Sequence, residues 1–143
     1  MSFLYKIGSL LLALTIVSVA LVAQKVNSSG DQPTGSRSNI NQSKRERLRS
    51  LKQAIDAEIG TPRADKLAQC KHIAFGAKPC GGPWKYLVYS TARTDESRLK
   101  QLVSEYNALE KKINEEEGLN SDCTYVTEPE LELEGGVCVI KGK

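Results

Sequence analysis

The chain of 143 residues is long enough for one domain and too short for two of ordinary size. Its 20 Lys and Arg residues nearly balance 17 Asp and Glu residues, and a net charge of +3 is too small for a dedicated nucleic-acid-binding protein. Of the residues, 40% are hydrophobic, but an uncharged apolar run at residues 7–23 supplies many of them. The rest of the chain therefore has a thinner supply of core-forming residues than the average implies.

Residues 1–23 are typical of an export signal or of a membrane anchor, since Lys6 precedes the uncharged run. Small residues allow cleavage near Ala20 or Ala23, which would release a secreted or periplasmic protein. If uncleaved, residues 7–23 would anchor the chain, although a helix of this length spans only about 25 Å of a ~30 Å hydrocarbon layer. Basic charge does not settle the orientation, since Lys25 and Arg37 follow the run, but the cysteines favour an exported body under either alternative.

The four cysteines follow the export segment, and an even number in a small exported domain predicts two disulfide bonds. They are Cys70, Cys80, Cys123 and Cys138. Three pairings are open, and the turn-rich stretches between neighbours favour Cys70–Cys80 and Cys123–Cys138. The chain contains no CxxC motif and no second histidine, so we predict neither a metal site nor a cofactor.

Residues 24–42 are rich in Ser, Asn, Gly and Gln, a composition that predicts a flexible linker, and residues 43–143 then form the domain. Ser43 and Glu46 match a capping box, which places a helix at about 44–59. Its apolar stripe consists of Leu48, Leu51, Ile55 and Ile59.

Two short strands are predicted near residues 72–75 and 84–90, on either side of a stretch rich in Gly and Pro. A second helix, at about 95–117, is predicted to begin after a Thr94 cap. Its apolar seam repeats at intervals of three and four: Leu99, Leu102, Tyr106, Leu109 and Ile113. The seam fits either a core-facing helix or a helix that pairs with another subunit. We favour the core-facing helix, because the seam is too short for a typical coiled coil.

A further strand is predicted near residues 123–127, followed by a hairpin over residues 131–140 that turns at Gly135-Gly136. In the register set by that turn, Leu133 faces Cys138 and Leu131 faces Ile140, so four apolar side chains share one face. The predicted fold class is therefore a small disulfide-stabilised α+β domain with two main helices, short strands and a C-terminal hairpin.

Catalysis has little support in the sequence. His72 is the only histidine, and no nucleophile, phosphate-binding or metalloprotease motif surrounds it. A structural or surface role is the favoured interpretation of His72, and a small hydrolase that uses His72 or a carboxylate is kept as an alternative.

Charge is unevenly distributed along the chain. Residues 37–52 carry six basic groups against Glu46, whereas residues 114–134 carry eight acidic groups and no basic group. The basic stretch, with Arg45 and Arg49 as candidate contacts, could bind an anionic membrane surface or an envelope polymer. The simpler interpretation, which we favour, is a solvated helix face neutralised in part by the acidic stretch.

Aromatic residues at 84–89 form the other candidate surface. Trp84, Tyr86 and Tyr89 follow a loop stiffened by Gly and Pro, and such residues are frequent binding anchors. A chain with 6% aromatic residues also needs them for its core, and the core interpretation is favoured for Trp84 and Tyr86.

The predicted function is an exported, non-enzymatic binding or inhibitory module whose ligand is an unidentified protein or envelope polymer. We predict no nucleic-acid partner, and the predicted function does not require an oligomer. The principal alternative is a membrane-tethered structural protein that pairs through the helix seam at residues 99–113.

Overall fold

The computed structural model describes residues 34–142, and the predicted signal or anchor lies outside the described residues. Helix α1 covers Thr34–Ile59 and helix α2 covers Glu96–Glu117. Strands β1 (Cys70–Phe75) and β2 (Lys85–Ser90) form one antiparallel pair. A second antiparallel pair consists of β3 (Leu131–Glu134) and β4 (Val137–Ile140). The α+β prediction is confirmed.

The β1–β2 sheet lies between the two helices and the hairpin. Its helix-facing side packs Phe75 and Tyr89 against α1 and α2. Its other side packs Cys70 and Val88 against Ala64 and the inward side chains of the β3–β4 hairpin. Side chains on successive strand residues point to opposite faces, so one short sheet contributes to two small cores.

The predicted apolar stripes form the larger core. Leu51 and Ile55 of α1 are buried, as are Leu99, Val103 and Ile113 of α2. Because the α2 seam packs within its own domain, the core-facing interpretation of this helix is the one that the structure supports.

Helix α1 begins at Thr34, earlier than the capping-box motif predicts. The Gln42 side chain donates to the Glu46 carboxylate one turn later, so Glu46 does not reach back to cap Ser43. Extending an existing helix adds a backbone hydrogen bond for each residue fixed, and the polar residues before Ser43 continue the helix. The predicted linker is therefore helical from Thr34 onward, and its earlier part lies outside the described residues.

Helix α2 has the predicted extent but a different cap. The Asp95 carboxylate, rather than the Thr94 hydroxyl, accepts the backbone N–H of Arg98 at 3.1 Å. Gly118 ends the helix in the left-handed conformation, with φ of 61°. The buried Thr94 hydroxyl has no hydrogen-bond partner in the described part of the chain.

The C-terminal hairpin has the predicted register, with Leu133 opposite Cys138 and Leu131 opposite Ile140. Gly135 and Gly136 both have positive φ, as a tight two-residue turn of this type requires. The predicted strand near 123–127 is wrong: residues 119–130 contain neither helix nor strand. A strand needs a neighbouring strand to form hydrogen bonds with its backbone groups. The Thr124 carbonyl instead accepts a hydrogen bond from the Lys78 ammonium.

Candidate functional site

The disulfide bonds join Cys70 to Cys138 and Cys80 to Cys123, with Cα–Cα distances of 5.4 and 5.5 Å. The favoured sequence pairing of neighbouring cysteines is therefore wrong. Cys70 begins β1 and Cys80 lies beyond its far end, and a six-residue strand spans about 20 Å. A disulfide requires Cα atoms within about 7 Å, so sheet geometry excludes a Cys70–Cys80 bond.

The basic side chains of α1 are largely paired with acidic side chains of α2. Lys44 contacts Glu116, Arg45 lies 2.6 Å from Glu117, and Arg47 lies 2.6 Å from Glu105. The two helices are antiparallel, which brings the end of α2 to the basic part of α1. This arrangement is the neutralised helix face that the sequence favours.

Arg49, the other basic residue of the predicted binding pair, forms no ion pair with any described carboxylate. With Arg45 it lines a shallow groove along α1 that also includes Leu48, Lys52, Gln53 and Tyr106. Lys52 is already paired with Asp56 at 2.5 Å. Little unpaired positive charge therefore remains in this groove.

Tyr89 is not available to a partner. Its side chain is only 3% exposed and packs in the larger core. Burial is the larger cause that raises the pKa of its phenol, and the negative charge of Glu96 raises it further. The prediction of Tyr89 as a binding residue is wrong because it lies on the helix-facing side of β2, whereas Tyr86 lies on the opposite side.

Trp84 lies at the surface, contrary to the favoured core interpretation, and is 45% exposed. The ammonium of the buried Lys78 lies 5.3 Å from the centre of its ring. The carboxylate of Glu110 lies beside its ring at Gly76, and the interaction with Trp84 lowers the pKa of that carboxyl group. These contacts fix the orientation of an exposed aromatic ring, which lowers the entropy lost when a partner binds.

Tyr125, which the sequence did not single out, is 85% exposed. Lys78 connects its segment to Trp84, because the Lys78 ammonium also donates to the Thr124 carbonyl at 2.7 Å. The Cys80–Cys123 bond provides a second connection between the same two segments. No pattern marked Tyr125, since its position within a β-prone run predicted a strand.

Tyr86 is half-buried between these features and His72. The rings of Tyr86 and His72 meet edge to face, with centroids 5.2 Å apart. The pKa of the Tyr86 phenol is raised first by partial burial and then by the negative charges of Glu128 and Tyr125. Trp84, Tyr86 and Tyr125 are called the aromatic surface below.

Three polar residues of α2 hold the loop that carries Trp84, and no motif in the sequence marks them. Asn107 accepts the Gly76 N–H at 2.7 Å, and Glu110 accepts the Ala77 N–H at 2.5 Å. Asn114 donates to the Ala77 carbonyl at 2.7 Å. Their spacing of three and four places them on one face of α2, toward a loop whose backbone would otherwise lack partners.

The pKa of Glu110 is raised by burial, although its hydrogen bonds with Ala77, Tyr106 and Trp84 oppose this shift. Between the ordinary and the raised pKa, the folded protein holds a proton that the unfolded chain has lost. Stability from this residue is therefore present below the ordinary pKa and is lost as pH rises through the raised pKa.

We expect Glu110→Gln to remove this pH dependence, because glutamine resembles the protonated acid and does not titrate. Urea denaturation at a series of pH values would measure it. The free energy of unfolding of the wild type, relative to that of the variant, should fall as pH rises through the interval. A constant difference between the two proteins would contradict this interpretation.

The contacts of His72 are those of a structural residue. His72 lies in β1 opposite Val88 and against the Tyr86 ring, in the half-buried part of the sheet. Glu110, a half-buried carboxyl group on α2, accepts hydrogen bonds from the Ala77 N–H and the Tyr106 hydroxyl. In the part of the chain that the structure describes, no three His, Cys, Asp or Glu side chains converge where they could hold a metal ion.

The acidic residues near the hairpin are partly paired at its outer side. Lys141 lies 2.9 Å from Glu130, and the Gly142 N–H is 3.3 Å from Glu132. The predicted alternation places Glu132 and Glu134 opposite Val139 and Val137, away from the inward-facing Leu133. They are a solvated strand face.

Two findings bear on location and relationship. Both disulfide bonds are compatible with an extracytoplasmic location. Within residues 34–142, neither helix is long and apolar enough to cross a membrane. Comparison of the chain with protein-family models, with curated proteins and with solved structures gives no match.

Proposed function

We propose that this protein is an extracytoplasmic, non-enzymatic binding module that holds a partner protein through its aromatic surface. The observation that carries the proposal is the exposure of Trp84 and Tyr125 in a chain with few aromatic residues. The larger core uses Phe75 and Tyr89 instead. Tryptophan and tyrosine are the residues that most often contribute strongly to protein–protein binding.

Rigidity supports the same proposal. Trp84 lies against Lys78 and beside Glu110, and the segment of Tyr125 is joined to the Trp84 loop by Lys78 and by the Cys80–Cys123 bond. A surface fixed before binding retains more of its contact energy as affinity. The proposal does not extend to an anionic membrane, because three of the six basic groups in residues 37–52 pair with α2.

Site-specific photo-cross-linking of the full chain in its own cells tests the proposal. A photoreactive phenylalanine replaces Tyr125, and in the matched control it replaces Leu67, another exposed hydrophobic residue. We expect a protein adduct of one defined mass from position 125 and none from position 67. The absence of an adduct at 125, or the same adduct at both positions, would contradict the proposal.

With the cross-linked protein identified, Tyr125→Ala should weaken its binding about 30-fold, the effect of a residue central to an interface. Leu67→Ala should change the affinity less than about twofold, since it lies outside the aromatic surface. Titration calorimetry measures both. The side chain of Tyr125 is 85% exposed, so thermal unfolding of Tyr125→Ala should match the wild type. Equal affinities for the two variants would exclude Tyr125 from the interface.

A further inference from the structure

The two disulfide bonds have opposite environments. Cys70 and Cys138 are 6% and 2% exposed and lie in the core between the sheet and the hairpin. Cys80 and Cys123 are both exposed, in loops. A thiol reagent must approach the sulfur that it attacks, so exposure makes the Cys80–Cys123 bond the accessible one.

Cys123 also has a strained backbone. Its φ of 50° lies in the left-handed region, and among residues 34–142 every other positive φ belongs to glycine. A residue with a Cβ atom adopts this conformation only where its surroundings impose it. Opening the bond to Cys80 frees Cys123 to leave this conformation, and such strain favours the open form.

We infer that Cys80–Cys123 is a site of thiol–disulfide exchange with an extracytoplasmic dithiol, whereas Cys70–Cys138 is structural. The inference rests on the proposed function only in its consequence for the aromatic surface. The Ser121 hydroxyl lies 2.7 Å from the Cys80 sulfur, where it can donate to a Cys80 thiolate. This contact makes Cys80 the leaving group and Cys123 the sulfur that is attacked.

The exchange proceeds in two steps. A thiolate of the dithiol forms a bond to the Cys123 sulfur, the Cys80–Cys123 bond breaks, and its electron pair leaves on Cys80, which takes a proton from solvent. The second thiolate then attacks the dithiol's own sulfur in the mixed disulfide and releases Cys123, which takes a second proton. The protein disulfide is reduced to two thiols, and the dithiol is oxidised to a disulfide.

The bond controls a segment with few other attachments. From residue 120 to residue 129, no backbone group bonds to another described backbone group. The remaining polar attachments are the Ser121 hydroxyl on the Cys80 sulfur, Lys78 through the Thr124 carbonyl and the Asp122 carboxylate, and Lys141 through the Glu130 carbonyl and carboxylate. Reduction is therefore expected to separate Tyr125 from Trp84 while the two cores remain folded.

Graded reduction of the wild-type protein with dithiothreitol, followed by alkylation and peptide mass spectrometry, tests the exchange site without any partner. We expect Cys80 and Cys123 to be alkylated at about tenfold lower dithiothreitol than Cys70 and Cys138, with unchanged far-ultraviolet circular dichroism. Opening of both bonds at the same concentration, or of Cys70–Cys138 first, would overturn the inference.

Two further measurements separate the parts of the inference. Ser121→Ala should slow opening of Cys80–Cys123 about fivefold and leave Cys70–Cys138 unaffected, and an unchanged rate would refute the leaving-group assignment. The chain contains one tryptophan, so its fluorescence reports on Trp84 alone. A spectrum unchanged by selective reduction would refute control of the aromatic surface. Neither result depends on the cross-linking partner, so the two proposals fail independently.

Discussion

Replacing Cys70 and Cys138 together with alanine is expected to lower the free energy of unfolding by about 4 kcal/mol. The Cys80–Cys123 bond already shortens the path between these residues to roughly 27 positions, for which loop closure contributes about 3.5 kcal/mol in the chain-entropy model. The rest comes from removing buried sulfur from the core around Ala64 and Leu133. Small domains have a total stability of about 5–15 kcal/mol, so this loss would remove between about a quarter and four-fifths of it.

Equilibrium denaturation in urea measures this loss, and the double variant Cys80→Ala/Cys123→Ala is the matched control. The control should lose about 2 kcal/mol of unfolding free energy. The sulfurs of the Cys80–Cys123 bond are exposed, and removing the bond relieves the backbone strain at residue 123. A larger loss in the control than in Cys70→Ala/Cys138→Ala would contradict the division into a structural and an exchangeable bond.

Gly76→Ala is expected to lower the free energy of unfolding by about 3 kcal/mol. The backbone of Gly76 has φ of 85°, which side-chain-bearing residues rarely adopt. A Cβ atom there would also lie 2.5 Å from Cδ1 of Trp84 and 3.0 Å from Oε2 of Glu110. Glu110 is held by the Ala77 N–H and Trp84 by its contact with Lys78, so the loop that carries Trp84 must move.

The matched control is Gly81→Ala, at a position with φ of 97° and no atom within 4 Å of an added Cβ. It carries the backbone strain without the collision and should lose about 1 kcal/mol. Urea denaturation compares the two variants, and the fluorescence of Trp84 should change only in Gly76→Ala. Equal losses of stability would show that the contact with Trp84 and Glu110 has no effect.

The sequence predicted those elements whose signals are local. The stripe containing Leu51 and Ile55, the seam beginning at Leu99 and the Gly135-Gly136 turn each involve only neighbouring residues, and the helices and hairpin follow from them. The start of α1 could not be predicted, because a motif for a cap does not show whether the preceding residues extend the helix. The strand near 123–127 failed for lack of a partner strand.

The disulfide pairing and the candidate site depend on how the layers stack. Cys138 meets Cys70 only because the hairpin covers the sheet face opposite the helices. The alternation of residues 84–89 predicted two faces correctly but not which one the helices cover. Tyr89 was therefore predicted as a binding residue although it is buried, and Trp84 as a core residue although it is exposed. Asn107, Glu110 and Asn114 had no recognisable pattern because their partners are backbone groups of a distant loop.

The Cys70–Cys138 bond also determines how this protein responds to mechanical force. It joins the start of β1 to β4, close to the end of the chain. A force applied between Thr34 and Gly142 can extend only the residues before Cys70 and after Cys138, because a covalent bond carries the load between them. The aromatic surface lies within the bypassed part of the chain. It would keep its geometry under tension even if α1 were pulled away from α2.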